Sequence, residues 1–341
     1  MRGGLAHLLL SPVSGLYKRE ITRRNAKFDR GEGVVTLDRP VISIGNLSVG
    51  GTGKSPTVAM VVRTLREAGH WPAVAMRGYG AKKTEHGSSD EADEYRALFD
   101  DLPIVAQPNR TLGLIEMFGT EAGDLVDSIV LDDGFQHRKI ARQLDVVLVD
   151  CTRSPIEDAL LPAGRLREPM ESLQRADAVI LTHAESVSDA EIEQILRAVL
   201  EVKRELLIAV SEHAWDGLDV TGIDEPVPVE WLADKRVVGV CAIGNPGPFF
   251  ATLGAKSAGV VQEIRLGDHD PYRKATVDRV ISAASDADAI VCTAKDWSKL
   301  RHVAPDRWPS PVVRPRLGLF LRTGGPELAD VITRTAKAGV E

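Results

Sequence analysis

Between residues 41 and 210 the chain alternates short apolar runs with longer stretches whose apolar positions recur every three or four residues. The runs at 41–44, 73–76, 103–106, 129–132, 145–149, 178–182 and 205–210 have the length of strands. The stretches 54–69, 90–101, 110–119 and 188–202 have helical periodicity with polar faces. Alternation of this kind predicts βαβ units: an α/β fold with a mainly parallel sheet and helices on both faces. Residues 212–235, "EHAWDGLDVTGIDEPVPVEWLADK", interrupt the pattern with Asp, Gly and Pro and are expected to form a connector with short extended pairing. Strand-like runs resume at 236–243 and near 259–265, 289–293 and 312–321. The expected organisation is a main domain over 31–211 and a smaller C-terminal α/β domain over 236–341.

With 341 residues both domains can bury cores of ordinary size. A net charge of −7 argues against wholesale nucleic-acid binding, which usually shows a basic domain. Charge is unevenly spread. Residues 1–30 hold Arg2, Lys18, Arg19, Arg23, Arg24, Lys27 and Arg30 against Glu20 and Asp29, a local +5, so the remaining 311 residues carry −12. The same segment bears Leu5, Leu8, Leu9, Leu10, Val13, Leu16 and Tyr17, interrupted by glycines, serines and Pro12. It is too short and broken for a membrane span, which needs about 20 apolar residues. Nor is it built as a secretory signal, for no small-residue cleavage site follows. A helix packed on its own domain and a peripheral contact with an anionic membrane surface both fit these residues. Cys151, Cys241 and Cys292 each end an apolar run, with neither zinc spacing nor an even count, and read as small buried thiols.

The chemistry begins at "VISIGNLSVGGTGKSPTVAMV", residues 41–61, an apolar strand followed by a glycine-rich turn and a helix. Gly50, Gly51, Thr52, Gly53, Lys54 and Ser55 match the tail of the phosphate-loop signature G-x-x-x-x-G-K-[ST], although Ser48 stands where its first glycine belongs. Glycines let backbone N–H groups turn inward, and the helix N-terminus adds partial positive charge. Lys54 is expected to reach the β- and γ-phosphates of a nucleoside triphosphate, and Ser55 to ligate Mg²⁺. The run "DSIVLDDGFQHR" supplies the acidic partner at a strand end. Asp132 or Asp133 would hold the ion, whose charge relieves their mutual repulsion. Asp150, ending "LDVVLVDC", is a rival metal carboxylate or a strand-end cap.

A phosphate loop with an acidic strand fits a kinase, a GTPase switch or a motor. The Asn-Lys-x-Asp base reader of GTPases is absent from the corresponding "AVILTHAES". Loops dense in acid, imidazole and arginine stand where strands should end, the position of binding crevices in parallel sheets. Several arginines there suit an anionic substrate as well as a nucleotide. The ordered motifs "IGNLSVGGTGKSP", "RGYG", "SDEA", "LDDGFQHR", "LPAGRLREP", "GNPGPFF", "DHDPY" and "TAKDWSK", between about residues 10 and 300, resemble the tetraacyldisaccharide 4′-kinase family.

That resemblance implies ATP-dependent, Mg²⁺-dependent phosphorylation of the 4′-hydroxyl of an acylated disaccharide 1-phosphate in lipid A biosynthesis. It also implies a peripheral place on the cytoplasmic face of the inner membrane, with residues 1–30 on the lipid surface and no obligatory protein partner. The matching positions assign Asp90 and His269 to a carboxylate–imidazole pair that activates the sugar hydroxyl, although Ser89 and Ala92 replace the family's usual Gly and Pro around Asp90-Glu91. Glu168 matches a residue near the metal. Arg165 and Arg167 are phosphate contacts on this reading, and Arg77, Tyr79, Asn109 and Arg110 line the sugar or its 1-phosphate. His137 and Arg138 follow the acidic strand closely, His137 either functional or satisfying backbone groups. Lys295-Asp296 is a helix start or a substrate contact. The rival readings are a kinase for another saccharide, or a switch that hydrolyses GTP without an acceptor.

Overall fold

The computed structural model describes residues 3–50, 52–78, 90–99, 101–244, 246–267 and 270–339. The chain divides into two compact units, Met1–Glu212 with Leu319–Glu341, and His213–Gly318. In chain order the elements are α1 (Gly3–Asp29), β1 (Val41–Asn46), α2 (Lys54–Glu67), β2 (Pro72–Met76), α3 (Asp90–Leu98), β3 (Ile104–Ala106), α4 (Arg110–Phe118), α5 (Glu121–Asp124), β4 (Ser128–Asp132), β5 (Leu144–Asp150), β6 (Ala178–Thr182), α6 (Asp189–Val202), β7 (Leu207–Val220), β8 (Arg236–Cys241), α7 (Gly247–Lys256), β9 (Gly259–Arg265), α8 (Lys274–Ala283), β10 (Ala289–Cys292), α9 (Ala294–Leu300), β11 (Val312–Thr323) and α10 (Gly325–Ala338).

In the first unit the strand order is β3-β2-β4-β1-β5-β6-β7, and every pairing is parallel. The two-residue period of a strand divides the apolar positions between two faces. Leu144, Val146 and Leu148 of β5 join Val58, Val62 and Leu65 of α2 and Tyr95 of α3. Val147 and Val149 of the same strand join Ile192, Ile195 and Val199 of α6. Both faces are therefore covered, which is why these strands read as unbroken apolar runs. Ser188 starts α6 with a reciprocal capping box to Glu191, satisfying two orphan N–H groups. α10 closes the first face, burying Leu328, Ile332 and Ala336 against the α2 layer.

The second unit has the order β11-β10-β8-β9, again parallel. Val238, Val240, Ile290 and Cys292 pack on Val277 and Val280 of α8, while Val237, Cys241, Ala289 and Val291 pack on Phe249, Phe250 and Leu253 of α7. Asp296 is buried at the start of α9, accepting from the Thr293 hydroxyl at 2.6 Å and from Ala242 N at 3.1 Å. This is the helix-start role for that acid.

Residues 212–235, expected as a connector with short extended pairing, carry such pairing and from His213 onward belong with the second unit. β7 continues to Val220, Leu218 bridges Val227, and Leu218, Val220 and Leu232 enter the second unit's core. Residues 319–341, expected in the C-terminal domain, belong with the first unit. All three cysteines are free and buried. Among the described residues no helix is long and apolar enough to cross a membrane. α1 packs on the first unit through Ser14 and Ile21, and leaves Val13, Leu16, Lys18, Arg19, Arg23 and Lys27 exposed.

Candidate active site

The first unit's strands end at a cavity of about 200 Å³ lined by Gly50, Lys54, Ser55, Met76, Arg77, Arg110, Asp132, Asp133 and Arg167. Its position at the carboxyl ends of β1, β2 and β4 follows from parallel pairing, which aligns those ends and places Asp132 opposite Ile44. Gly50 and Gly53 adopt φ of +119° and +82°, a conformation costly for side-chain-bearing residues, and Gly53 caps the start of α2. The turn after β4 lies directly on β1. A Cβ at Gly45 would stand 2.5 Å from Phe135 Cβ, so only glycine admits that approach. Gly134 N then donates to Ile44 O at 2.9 Å, and the Gln136 amide donates to Asn46 O at 2.9 Å. The Thr182 hydroxyl, at the end of β6, fixes the loop from behind by donating to Thr52 O at 3.0 Å.

Four cations therefore face two carboxylates, an arrangement that favours a polyanion. The two acids differ in environment. Asp133 sits at φ +52° and accepts from Arg167 Nη1 through both carboxylate oxygens at 2.8 Å, with Lys54 Nζ 3.7 Å away. Burial works to raise its pKa, but Lys54 and then Arg167 outweigh burial and hold it below the usual carboxylate range. Lys54 also donates to Asn46 Oδ1 at 3.3 Å. Asp132 is 5% exposed and accepts from the Tyr95 hydroxyl at 3.0 Å, a hydroxyl that Ser55 also approaches. Ser55 and Asp132 thus offer hard oxygen donors on one wall, the kind that Mg²⁺ or Ca²⁺ takes. Among the described residues no cluster of three or more His, Cys, Asp or Glu forms an all-protein metal cage.

Arg77, Arg110 and Arg167 reach the cavity, Arg110 donating to Asp133 O at 3.2 Å. Three expected residues do not. Arg165 pairs with Asp158 at 3.3 Å, and the Asn109 side chain caps α4 by accepting from Leu112 N. Glu168 is fully buried away from the cavity, accepting from Asn25 Nδ2 at 2.6 Å and Arg175 Nη2 at 3.0 Å. Asp150 is a cap, bound by the Thr152 hydroxyl at 2.7 Å and by His183 Nδ1 at 3.1 Å. Burial, with Arg110 and Arg142 nearby, pushes the His137 pKa down to about 4, so its ring is neutral at pH 7. Asp90 is the first residue of α3. Gly51, Tyr79 and His269 lie outside the described residues. The Asp270–Tyr272 flank of the last is tied down by Asp270 Oδ1 accepting from Tyr272 N at 2.7 Å.

Sequence reasoning passed over Tyr95 and Asn46. Tyr95 belongs to an Ala92–Tyr95–Phe99 stripe, so its only special signal was a hydroxyl on a buried helix face, where a partner is required. Asn46 is a polar residue closing a mainly apolar strand.

The profile of the family described as tetraacyldisaccharide-1-P 4′-kinase (LpxK) matches residues 6–322. A tetraacyldisaccharide 4′-kinase of Pseudomonas entomophila is 33% identical over 317 residues, covering 90% of this chain and 87% of that protein. One from Geobacter metallireducens is 35% identical over 282 residues, 78% of this chain and 80% of its own. Among solved structures, an "apo" form LpxK from Aquifex aeolicus in complex with ATP superposes with a TM-score of 0.72 at 28% identity, covering 96% of this chain and 99% of that one.

Proposed function

We propose, for a chain that belongs to the tetraacyldisaccharide-1-P 4′-kinase family, that the cavity above the phosphate loop grips ATP and delivers its terminal phosphoryl group to a disaccharide hydroxyl. The activity is that of a tetraacyldisaccharide 4′-kinase, a phosphotransferase with an alcohol acceptor in lipid A biosynthesis. The observation that carries this reading to the residues is the convergence of Lys54, Arg77, Arg110 and Arg167 on one cavity at the N-terminus of α2.

Asp133 now lies between Lys54 and Arg167 as an anion between two cations. The γ-phosphate of ATP takes up those same donors on binding, and they neutralise charge that spreads over the phosphoryl oxygens during transfer. Ser55 and Asp132 would hold Mg²⁺, which when bound supplies charge neutralisation at the phosphates. Asp132 rather than Asp133 fills this role because it shares the Tyr95 hydroxyl with Ser55, whereas Asp133 is engaged by cations. The match of their motifs to the family's assigns the base role to Asp90 and His269. The 4′-oxygen bonds to the γ-phosphorus, the bond to the ADP oxygen breaks, and the hydroxyl proton passes to the carboxylate–imidazole pair.

An acceptor with acyl chains has to be met at a lipid surface. The exposed Val13 and Leu16 with Lys18, Arg19, Arg23 and Lys27 on α1 suit contact with an anionic membrane, on the cytoplasmic face where ATP is available. The test is radiolabelled ATP with a 1-phosphorylated acylated glucosamine disaccharide in mixed micelles, followed by product identification. Label at the 4′-position is expected. Release of inorganic phosphate alone overturns the reading.

A further inference from the structure

Residues 165–168 are wedged between the phosphate loop and α1. On the loop side Val49 N donates to Arg165 O at 2.8 Å, Arg167 N donates to Leu47 O at 2.7 Å, and Ser48 bridges Leu166. The Arg167 guanidinium then binds Asp133. On the opposite side the contacts come from α1. The Tyr17 hydroxyl donates to Arg167 O at 3.0 Å, and Asn25 Nδ2 donates to Glu168 Oε2 at 2.6 Å. Arg24 Nη2 stands 3.7 Å from Glu168 Oε1. One turn away, Ser14 Oγ donates to Leu160 O at 2.9 Å and accepts from Ala163 N at 3.1 Å. The same helix is bound to the turn after β4, where Arg138 donates to Asn25 O at 3.0 Å and pairs with Asp29 at 2.7 Å.

The buried Glu168 carboxylate makes this seat specific. A charge fully removed from water is tolerated only where partners satisfy it. Arg175 supplies one partner from the unit itself, and α1 supplies Asn25 and Arg24. If α1 shifts, Glu168 loses two partners and Arg167 O loses its donor. The strip that presents Arg167 to the phosphate is then held on one side only.

We infer that Tyr17 and Asn25 are positioning residues for phosphoryl transfer: the inner face of α1 holds Arg167 in register with the phosphate loop. This rests on the kinase reading above and adds a second duty for α1 beside surface contact. Turnover, and not only access to a membrane-embedded acceptor, depends on the helix being seated.

The test uses the full chain, the micellar disaccharide acceptor and radiolabelled ATP. Tyr17→Phe removes one hydroxyl without changing shape, and Asn25→Ala removes the amide. Each is expected to lower kcat about three- to tenfold, the range of one lost hydrogen bond, with KM for acceptor and ATP within about twofold. Circular dichroism checks that both variants are folded, and Tyr17→Phe stands alone if Asn25→Ala unfolds. The decisive readout is a double-mutant cycle with Arg167→Lys, in which Tyr17→Phe is expected to have less than about a twofold further effect. Wild-type kcat in Tyr17→Phe, a raised acceptor KM at unchanged kcat, or multiplicative losses in the cycle would each overturn the inference. Absence of transfer by the unaltered chain overturns the assigned activity and this inference with it. Transfer with indifferent variants overturns the inference alone.

Discussion

Tyr95→Phe isolates one atom. The ring stays, so no cavity forms and the fully buried packing of Tyr95 in the α2 layer is retained. What disappears is the donor to Asp132 Oδ2 at 3.0 Å, on a carboxylate that is 5% exposed and has little access to water as a substitute. A hydrogen bond to a charged group contributes about 1.5–3 kcal/mol, which for a unit of this size lowers Tm by roughly 3–10 °C. On the proposed reading Mg²⁺ with ATP supplies a positive partner for Asp132, so the gap between variant and wild type is expected to narrow at saturating Mg–ATP. Turnover should fall about tenfold, with an increased Mg²⁺ requirement. Thermal melts at pH 7.5, with and without Mg–ATP, and transfer assays over a Mg²⁺ series give the result. A variant that melts within 1 °C of wild type at pH 7.5 (a threshold of roughly 0.3–0.5 kcal/mol) and turns over normally would show that the hydroxyl does not hold the carboxylate.

Lys54→Ala is expected to lower turnover by about two to three orders of magnitude while the circular dichroism spectrum and Tm stay near wild type, because on the proposed reading its charge serves the phosphate. Asp90→Asn and His269→Gln should each reduce kcat by about 10²- to 10⁴-fold with ATP binding intact, measured by nucleotide titration and transfer; an Asp90→Asn enzyme with normal kcat would remove that residue from the base role. At His183 burial lowers the pKa, but the hydrogen bond and charge of Asp150 outweigh it and the net shift is upward. The pair's contribution to stability is therefore full below about pH 6.5 and is lost as pH rises through the raised value. Melting His183→Gln beside wild type between pH 5.5 and 8.5 should give a Tm gap that narrows with pH, and a gap that widens would refute the assignment.

Local patterns wrote much of this molecule. The βα alternation, the helix at Lys54–Glu67, the strand ending at Asp132 and the glycines of the phosphate loop are legible because each depends on residues a few positions apart. The same holds for the candidate cations, since strand-end loops in a parallel sheet gather at one edge and Lys54, Arg77, Arg110 and Arg167 all lie in such loops or at helix starts beside them. Partners distant in sequence were not legible. α10 is amphipathic, but no period says whose core its apolar face covers, and it returns from residue 325 to seal α2. A buried carboxylate and a solvated one look alike in sequence. Only the tertiary structure removed Glu168 from the cavity to Asn25 and Arg175, separated Asp132 from Asp133 by giving one a tyrosine hydroxyl and the other two cations, and set α1 against the strip carrying Arg167. Chemistry that depends on spacing along the chain was fixed by composition and order; chemistry that depends on dielectric and on contacts between separate elements was decided by packing.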